Sequence, residues 1–155
     1  MKTINLLLLL TLVFSNLRAQ STQEELDFVQ SVFGMEKKAL VAEFVKPDAS
    51  QKNVFWQLYD EYEVARKELG KKRIELLLRY DENFETLSNE LAGELLKEIL
   101  ALTKRNDKLL VSYVKKIGKA TSPVVAMQFH QIEMYILSEI RIAIASGVPF
   151  PEIKQ

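Results

Sequence analysis

His130 is the only histidine in the sequence, and Glu133 follows it at a spacing of three. On a helix that spacing puts an imidazole and a carboxylate on one face, where both can approach a single ion. A protein metal site takes three or four good donors, and the chain offers no second His and no Cys. Gln128 and Gln131 lie nearby but are poor ligands. His130 and Glu133 are therefore weak metal candidates, and His130 reads first as a helix-surface imidazole paired with Glu133 or Glu139.

No nucleophile and base can be assembled. Ser and Thr fall mainly at helix starts, where capping accounts for them. The sequence contains no Gly-rich phosphate loop, no G-x-S-x-G and no H-E-x-x-H. Its carboxylates are spread among Lys and Arg on faces that read as solvated. Neither a reaction centre nor a cofactor is expected.

The aromatic group Phe55, Trp56, Tyr59 and Tyr62 is the densest feature of the chain. Phe55 and Tyr62 fall on an apolar stripe, with Trp56 and Tyr59 at its edge. One reading is helix packing. The other is an amphipathic patch for an unfolded client or a second subunit, because Trp and Tyr are enriched at such surfaces. Arg66 and Arg73 follow on the same segment, and the six residues together form the expected client or partner surface.

These residues need helices to position them. The sequence has only 5 Gly and 4 Pro in 155 residues, few for a turn-rich fold. No strand-like alternation or hairpin turn competes with the helical periods. A first segment starts near Ser21-Thr22, with Leu26, Val29, Phe33, Leu40, Phe44 and Val45 as its stripe, and ends before Pro47. A second starts at Asp48, whose side chain is expected to cap it with Gln51 closing the box. It continues for about 35 residues through Leu58, Leu69, Leu76, Tyr80 and Phe84. A third runs from Ser88 to about Lys119, with Thr103 to Lys108 as a kink or a wetter middle. The fourth starts at Ser122-Pro123 and stops at Gly147, which is expected at C′. The predicted fold is all-α: four helices around a long central antiparallel hairpin, in a cradle or an elongated bundle. Helices of this length leave flanks that a homodimer would cover.

Residues 1–19 read as a signal peptide: Lys2, an apolar run from Ile4 to Phe14, and a polar end at Ala19. The run is shorter than the roughly 20 residues of a membrane-spanning helix, so no transmembrane anchor is expected after cleavage. Residues 20–147 then form a single helical domain, and 148–155 a tail. With no Cys in the chain, a lipid-anchored form and disulfides are ruled out. Overall there are 21 basic and 21 acidic residues. Losing Lys2 and Arg18 leaves 19 basic residues against 21 acidic ones, a balance with no pull toward nucleic acid.

An exported helical chain with Asp48-Ala49-Ser50-Gln51 ahead of Phe55-Trp56-x-x-Tyr59-x-x-Tyr62-Glu63-x-x-Arg66-x-x-Leu69 resembles the Spy/CpxP-type periplasmic stress proteins. Their mark is a repeated Leu-Thr-x-x-Gln at helix starts. Pro47-Asp48-Ala49-Ser50-Gln51 keeps a capping residue and the Gln. Leu87-Ser88-Asn89-Glu90-Leu91 keeps the Leu and a hydroxyl cap but lacks the Gln. Phe129-x-Gln131-Ile132-Glu133 after Ser122-Pro123 is also similar to the last helix of these proteins. The likeness covers roughly residues 36–144. It implies a cradle-like helical protein of the Gram-negative periplasm, often dimeric, that binds misfolded proteins without ATP and is linked to envelope or metal stress. It also implies, as an alternative, a sensor that binds one defined envelope partner, such as an extracytoplasmic sigma-factor signalling component.

Overall fold

The computed structural model describes residues 36–151. The expected signal peptide, the first part of the first helical segment and the last four residues lie outside them. The described chain is all-α. Helix α1 covers 36–44, α2 Lys52–Asn83, α3 Asn89–Ala120 and α4 Pro123–Gly147, with a 3-10 turn at Phe84–Thr86 between α2 and α3. No helix among the described residues is long and apolar enough to cross a membrane.

Local chemistry sets most of these boundaries. Ser88 Oγ accepts from the Leu91 N–H at 3.2 Å, and Ser122 Oγ accepts from the Val125 N–H at 3.3 Å with Pro123 behind it. The start of α2 differs from expectation. Its N-cap is Gln51, without a side-chain cap. The Asp48 carbonyl, not its carboxylate, accepts from Gln51 N and Lys52 N at 2.9 and 3.0 Å. The Gln51 amide reaches instead across to the Thr121 carbonyl at 3.3 Å, tying the start of α2 to the α3–α4 corner. Gly147 is the last helical residue and no described glycine has a positive φ, so α4 ends without the expected left-handed C′ residue. The polar stretch from Thr103 to Lys108 does not interrupt α3. Thr103 Oγ1 and Asn106 Nδ2 donate back to the Ile99 and Leu102 carbonyls at 2.9 and 3.0 Å, so these polar side chains bond within the helix.

Helices α2 and α3 each have 32 residues and form the antiparallel hairpin, roughly 48 Å long at 1.5 Å per residue. Helix α4 returns along α3, so closely that a Cβ placed on Gly118 would lie 3.3 Å from the Ala126 Cβ. Helix α1 runs antiparallel to α2 and α4: Lys37 meets Glu63 and Glu133, while the Lys46 N–H reaches Gln128 Oε1 at 3.0 Å.

The core is uneven along this length. At the α1 end, all four helices bury apolar and aromatic side chains together, with Phe129 at the centre. Its ring meets those of Phe55, Tyr59 and Tyr62 edge-on at centroid distances of 6.3, 6.4 and 5.4 Å. Toward the hairpin tip, the fully buried set shrinks to Leu69, Leu76, Leu95 and Leu102 from α2 and α3 alone. The face of α1 also differs from expectation. Lys37, Val41 and Val45, at steps of four, point inward, Leu40 is half-buried, and Phe44 is 56% exposed.

Candidate functional site

Three helices bring a set of ionisable side chains into the four-helix end of the core. Lys37 of α1 is buried, as are Glu63 of α2 and Glu133 of α4. Lys37 Nζ donates to Glu63 Oε1 at 2.6 Å. It also lies 2.8 Å from both Glu133 oxygens, with its N–H directed at Oε2, so Oε1 is in ionic contact without a directed hydrogen bond. Tyr62 donates its hydroxyl to the same Oε2 at 2.8 Å. Arg66 closes the far side as a fork: Nε and Nη2 donate to Glu63 Oε1 and Oε2 at 2.9 and 3.1 Å. The Tyr59 and Tyr62 rings stand 5.9 and 5.3 Å from the ammonium.

Two cations and two carboxylates make this set neutral as a whole, which is the condition for keeping charge inside a protein. Burial alone would push Lys37 toward its neutral form, and it holds the lysine below its ordinary value even though Glu133 and Glu63 oppose it. Glu63 is also buried, yet Lys37 and Arg66 outweigh that burial and keep its carboxyl below the usual 4.5. Both tyrosine hydroxyls are raised by burial and by the neighbouring carboxylates, so they remain neutral; Tyr62 donates to Glu133, while the buried Tyr59 hydroxyl meets no hydrogen-bond partner among the described residues. The arrangement clamps three helices to one another. It offers no open face to a substrate.

The second feature is on the outside of α4. At about 100° per residue, Val124, Met127, Met134, Tyr135 and Ile142 share a face opposite the buried one. They are between 38% and 66% exposed. Of the charged residues of this span, Glu133 is in the core, Arg141 reaches Asp107 of α3 at 3.6 Å, and the half-buried Glu139 borders the face beside Tyr135 and Ile142. Beside this face, α1 and α4 enclose an apolar groove of about 340 Å³ lined by Leu40, Phe44, Gln128, Gln131, Ile132 and Tyr135. Tyr135 belongs to both features and the exposed Gln131 lies between them, so groove and outer face adjoin in one largely apolar surface.

The structure redistributes the residues singled out from the sequence. Phe55, Tyr59 and Tyr62 are buried and cannot be a contact surface, because α1 and Phe129 cover them. Trp56 is half-buried, its ring 5.2 Å from the Lys38 ammonium, and Lys38 is paired with Asp60. Arg66 is committed to Glu63. Arg73 crosses the hairpin to Thr103 Oγ1 at 3.3 Å. The expected pairing of Glu133 with His130 does not form: Glu133 turns inward to Lys37 and Tyr62, while His130 is half-buried on another part of α4. No group of three or more His, Cys, Asp or Glu among the described residues is placed to hold a metal ion.

Sequence reasoning missed Lys37, Glu63 and Glu133 as a unit, having placed Glu63 on a solvated face. One signal was present. Glu133 falls between Ile132 and Ile136 on the apolar stripe of α4, where an acid needs a cation from elsewhere. No family model, curated protein or solved structure matches the chain.

Proposed function

We propose that this chain is a non-enzymatic polypeptide-binding protein of the Gram-negative periplasm, of Spy/CpxP type, that holds unfolded proteins without ATP. The single observation behind this reading is the outer face of α4, a helix that buries one side and leaves the opposite side largely apolar and open to solvent. A helix apolar on both sides is ordinarily covered on both. The adjoining groove suits an extended polypeptide segment. It has room for a large apolar side chain, and Gln131 and the Tyr135 hydroxyl at its edge supply donors and acceptors for main-chain groups. The signal-like first nineteen residues support export, and the Leu-Thr-x-x-Gln-like helix starts support the family. The contact surface is thus assigned to Met127, Met134, Tyr135 and Phe44 in place of the aromatic group on α2.

The test is suppression of aggregation of a reduced or heat-unfolded protein at stoichiometric amounts without ATP. Suppression by the natural chain is expected, with loss of at least about fivefold in potency for Met127→Glu/Tyr135→Glu at unchanged helicity. Absence of suppression by the natural chain overturns the reading. Recovery of one stoichiometric envelope protein would replace it with the sensor alternative. A native mass of twice the chain that falls to one chain in the same double variant would assign this face to a homodimer.

A further inference from the structure

Charge is unevenly spread along α3. Between positions 99 and 120, six of the seven charged residues are basic, in a chain whose 21 basic and 21 acidic residues balance overall. The one acid of that stretch, Asp107, is drawn to Arg141 of α4. Nearer the hairpin tip, Glu94 and Glu98 face Arg79 of α2, so the positive zone ends where the acids of α3 turn across the hairpin.

Lys97, Lys104, Lys108, Lys115 and Lys119 recur at alternating steps of seven and four. At 3.6 residues per turn these steps keep all five within about 60° of arc, in a straight row roughly 33 Å long. All five are exposed, and among the described residues none has a carboxylate within ion-pair distance. Leu102, Tyr113 and Ile117, on the opposite side of the helix, are buried. The helix dipole accounts for Lys119 alone, since its effect is confined to the last turn. Leu100 and Val111, about three turns apart, border the row on one side and are 60% and 48% exposed.

We propose that this row is a docking surface for an anionic phospholipid bilayer, which α3 meets side-on. A flat headgroup layer is complementary to cations held in one line by a straight helix face. It also accepts apolar side chains beside them at the headgroup boundary, the place of Leu100 and Val111. Lysine suits this contact, because its ammonium is a strongly hydrated point charge on a flexible stem. Nucleic acid is served less well. The row holds no Arg, Asn or Gln to read base edges, and Tyr113 is buried and offers no ring for bases to stack on. The row is on α3 and the proposed polypeptide surface is on α1 and α4, so either inference can fail without the other.

The test is sedimentation of the protein, purified after export, with vesicles of phosphatidylcholine alone or with one third phosphatidylglycerol. Binding to the anionic vesicles should exceed binding to the neutral ones at least about tenfold, and most of it should disappear at about 0.5 M NaCl. Each cation beside an anionic bilayer raises partition roughly fivefold. Lys104→Glu/Lys108→Glu/Lys115→Glu should therefore bind at least about twentyfold more weakly at unchanged helicity. Lys46→Glu/Lys52→Glu/Lys72→Glu makes the same change of net charge at exposed lysines elsewhere and should lose less than about threefold. Where the reversal on α3 costs helicity, Lys104→Gln/Lys108→Gln/Lys115→Gln decides, with at least about tenfold weaker binding expected. Absence of binding to the anionic vesicles, equal binding to neutral ones, or equal loss in both sets of variants overturns the docking surface. Tighter binding of a short DNA duplex than of anionic vesicles at the same salt overturns it as well.

Discussion

Lys37 and Glu133 stand 96 residues apart in the sequence, yet they are in direct ionic contact where solvent reaches neither. Their pairing joins the first described helix to the last. Removing one partner strands the other, at a cost of about 3–5 kcal/mol for a buried pair. Lys37→Met should therefore lower the urea midpoint sharply. The double change Lys37→Met/Glu133→Gln should recover most of that loss, because Gln can still accept from Tyr62 and no charge is left alone. A double-mutant cycle by urea unfolding measures the coupling.

Stability should rise with pH in two separate windows. Glu63 is held below its ordinary value by Lys37 and Arg66 against the effect of burial. Its contribution is thus fully present above about 4.5 and is lost as pH falls through the folded-state value. Lys37 is shifted downward by burial, so between its folded-state value and 10.5 the unfolded chain binds the extra proton. Stability from this group should rise with pH across that window. Denaturant titrations of the natural chain and Lys37→Met at a series of pH values would isolate both slopes.

Glycines on one helix should respond in opposite directions. At Gly93 an added Cβ meets nothing within 4 Å, so Gly93→Ala should stabilise by about 0.5–1 kcal/mol through helix propensity. At Gly118 the same Cβ would press on Ala126 at 3.3 Å. Gly118→Val should cost about 1–3 kcal/mol by forcing α3 and α4 apart, with Ala126→Gly restoring part of it. Thermal melts of these three variants provide the comparison.

The helix starts make a third contrast. Ser122→Ala removes the hydroxyl that caps α4 and should cost about 1 kcal/mol. Asp48→Ala should cost much less, since the Asp48 backbone carbonyl rather than its side chain meets the start of α2. Chemical unfolding of both variants checks the ranking.

The helices were legible because their signals are local. The Ser122-Pro123 start, the Ser88 cap and the three- and four-residue apolar steps through Phe55, Tyr62, Leu95 and Phe129 need no knowledge of distant contacts. The hairpin followed from the short connection between two long periods. The ion cluster was not legible as a unit, because it depends on residues 37, 63 and 133 converging; Lys37 and Glu63 alone look like solvated charges, and only the place of Glu133 on the apolar stripe of α4 pointed to it. Its burial in turn decides the aromatic group. With Lys37 holding α1 down, Tyr59 becomes core, although its edge position on α2 allowed either outcome. The outer face of α4 was present in the sequence as Val124, Met127, Met134 and Tyr135 but was hidden by the stronger stripe opposite. A helix with two apolar faces does not reveal which one the protein will cover.

The unequal filling of the bundle sets an order on its internal breathing. A layer of four leucines near the hairpin tip has far less to lose on opening than the ring-packed, charge-clasped end. Amide protons around residues 76–95 should therefore exchange with deuterium long before those around Phe129 or Ile117, and a protease should nick the Phe84–Thr86 turn while the clasped end is still closed. The protein is in this sense a firm handle carrying a looser fork.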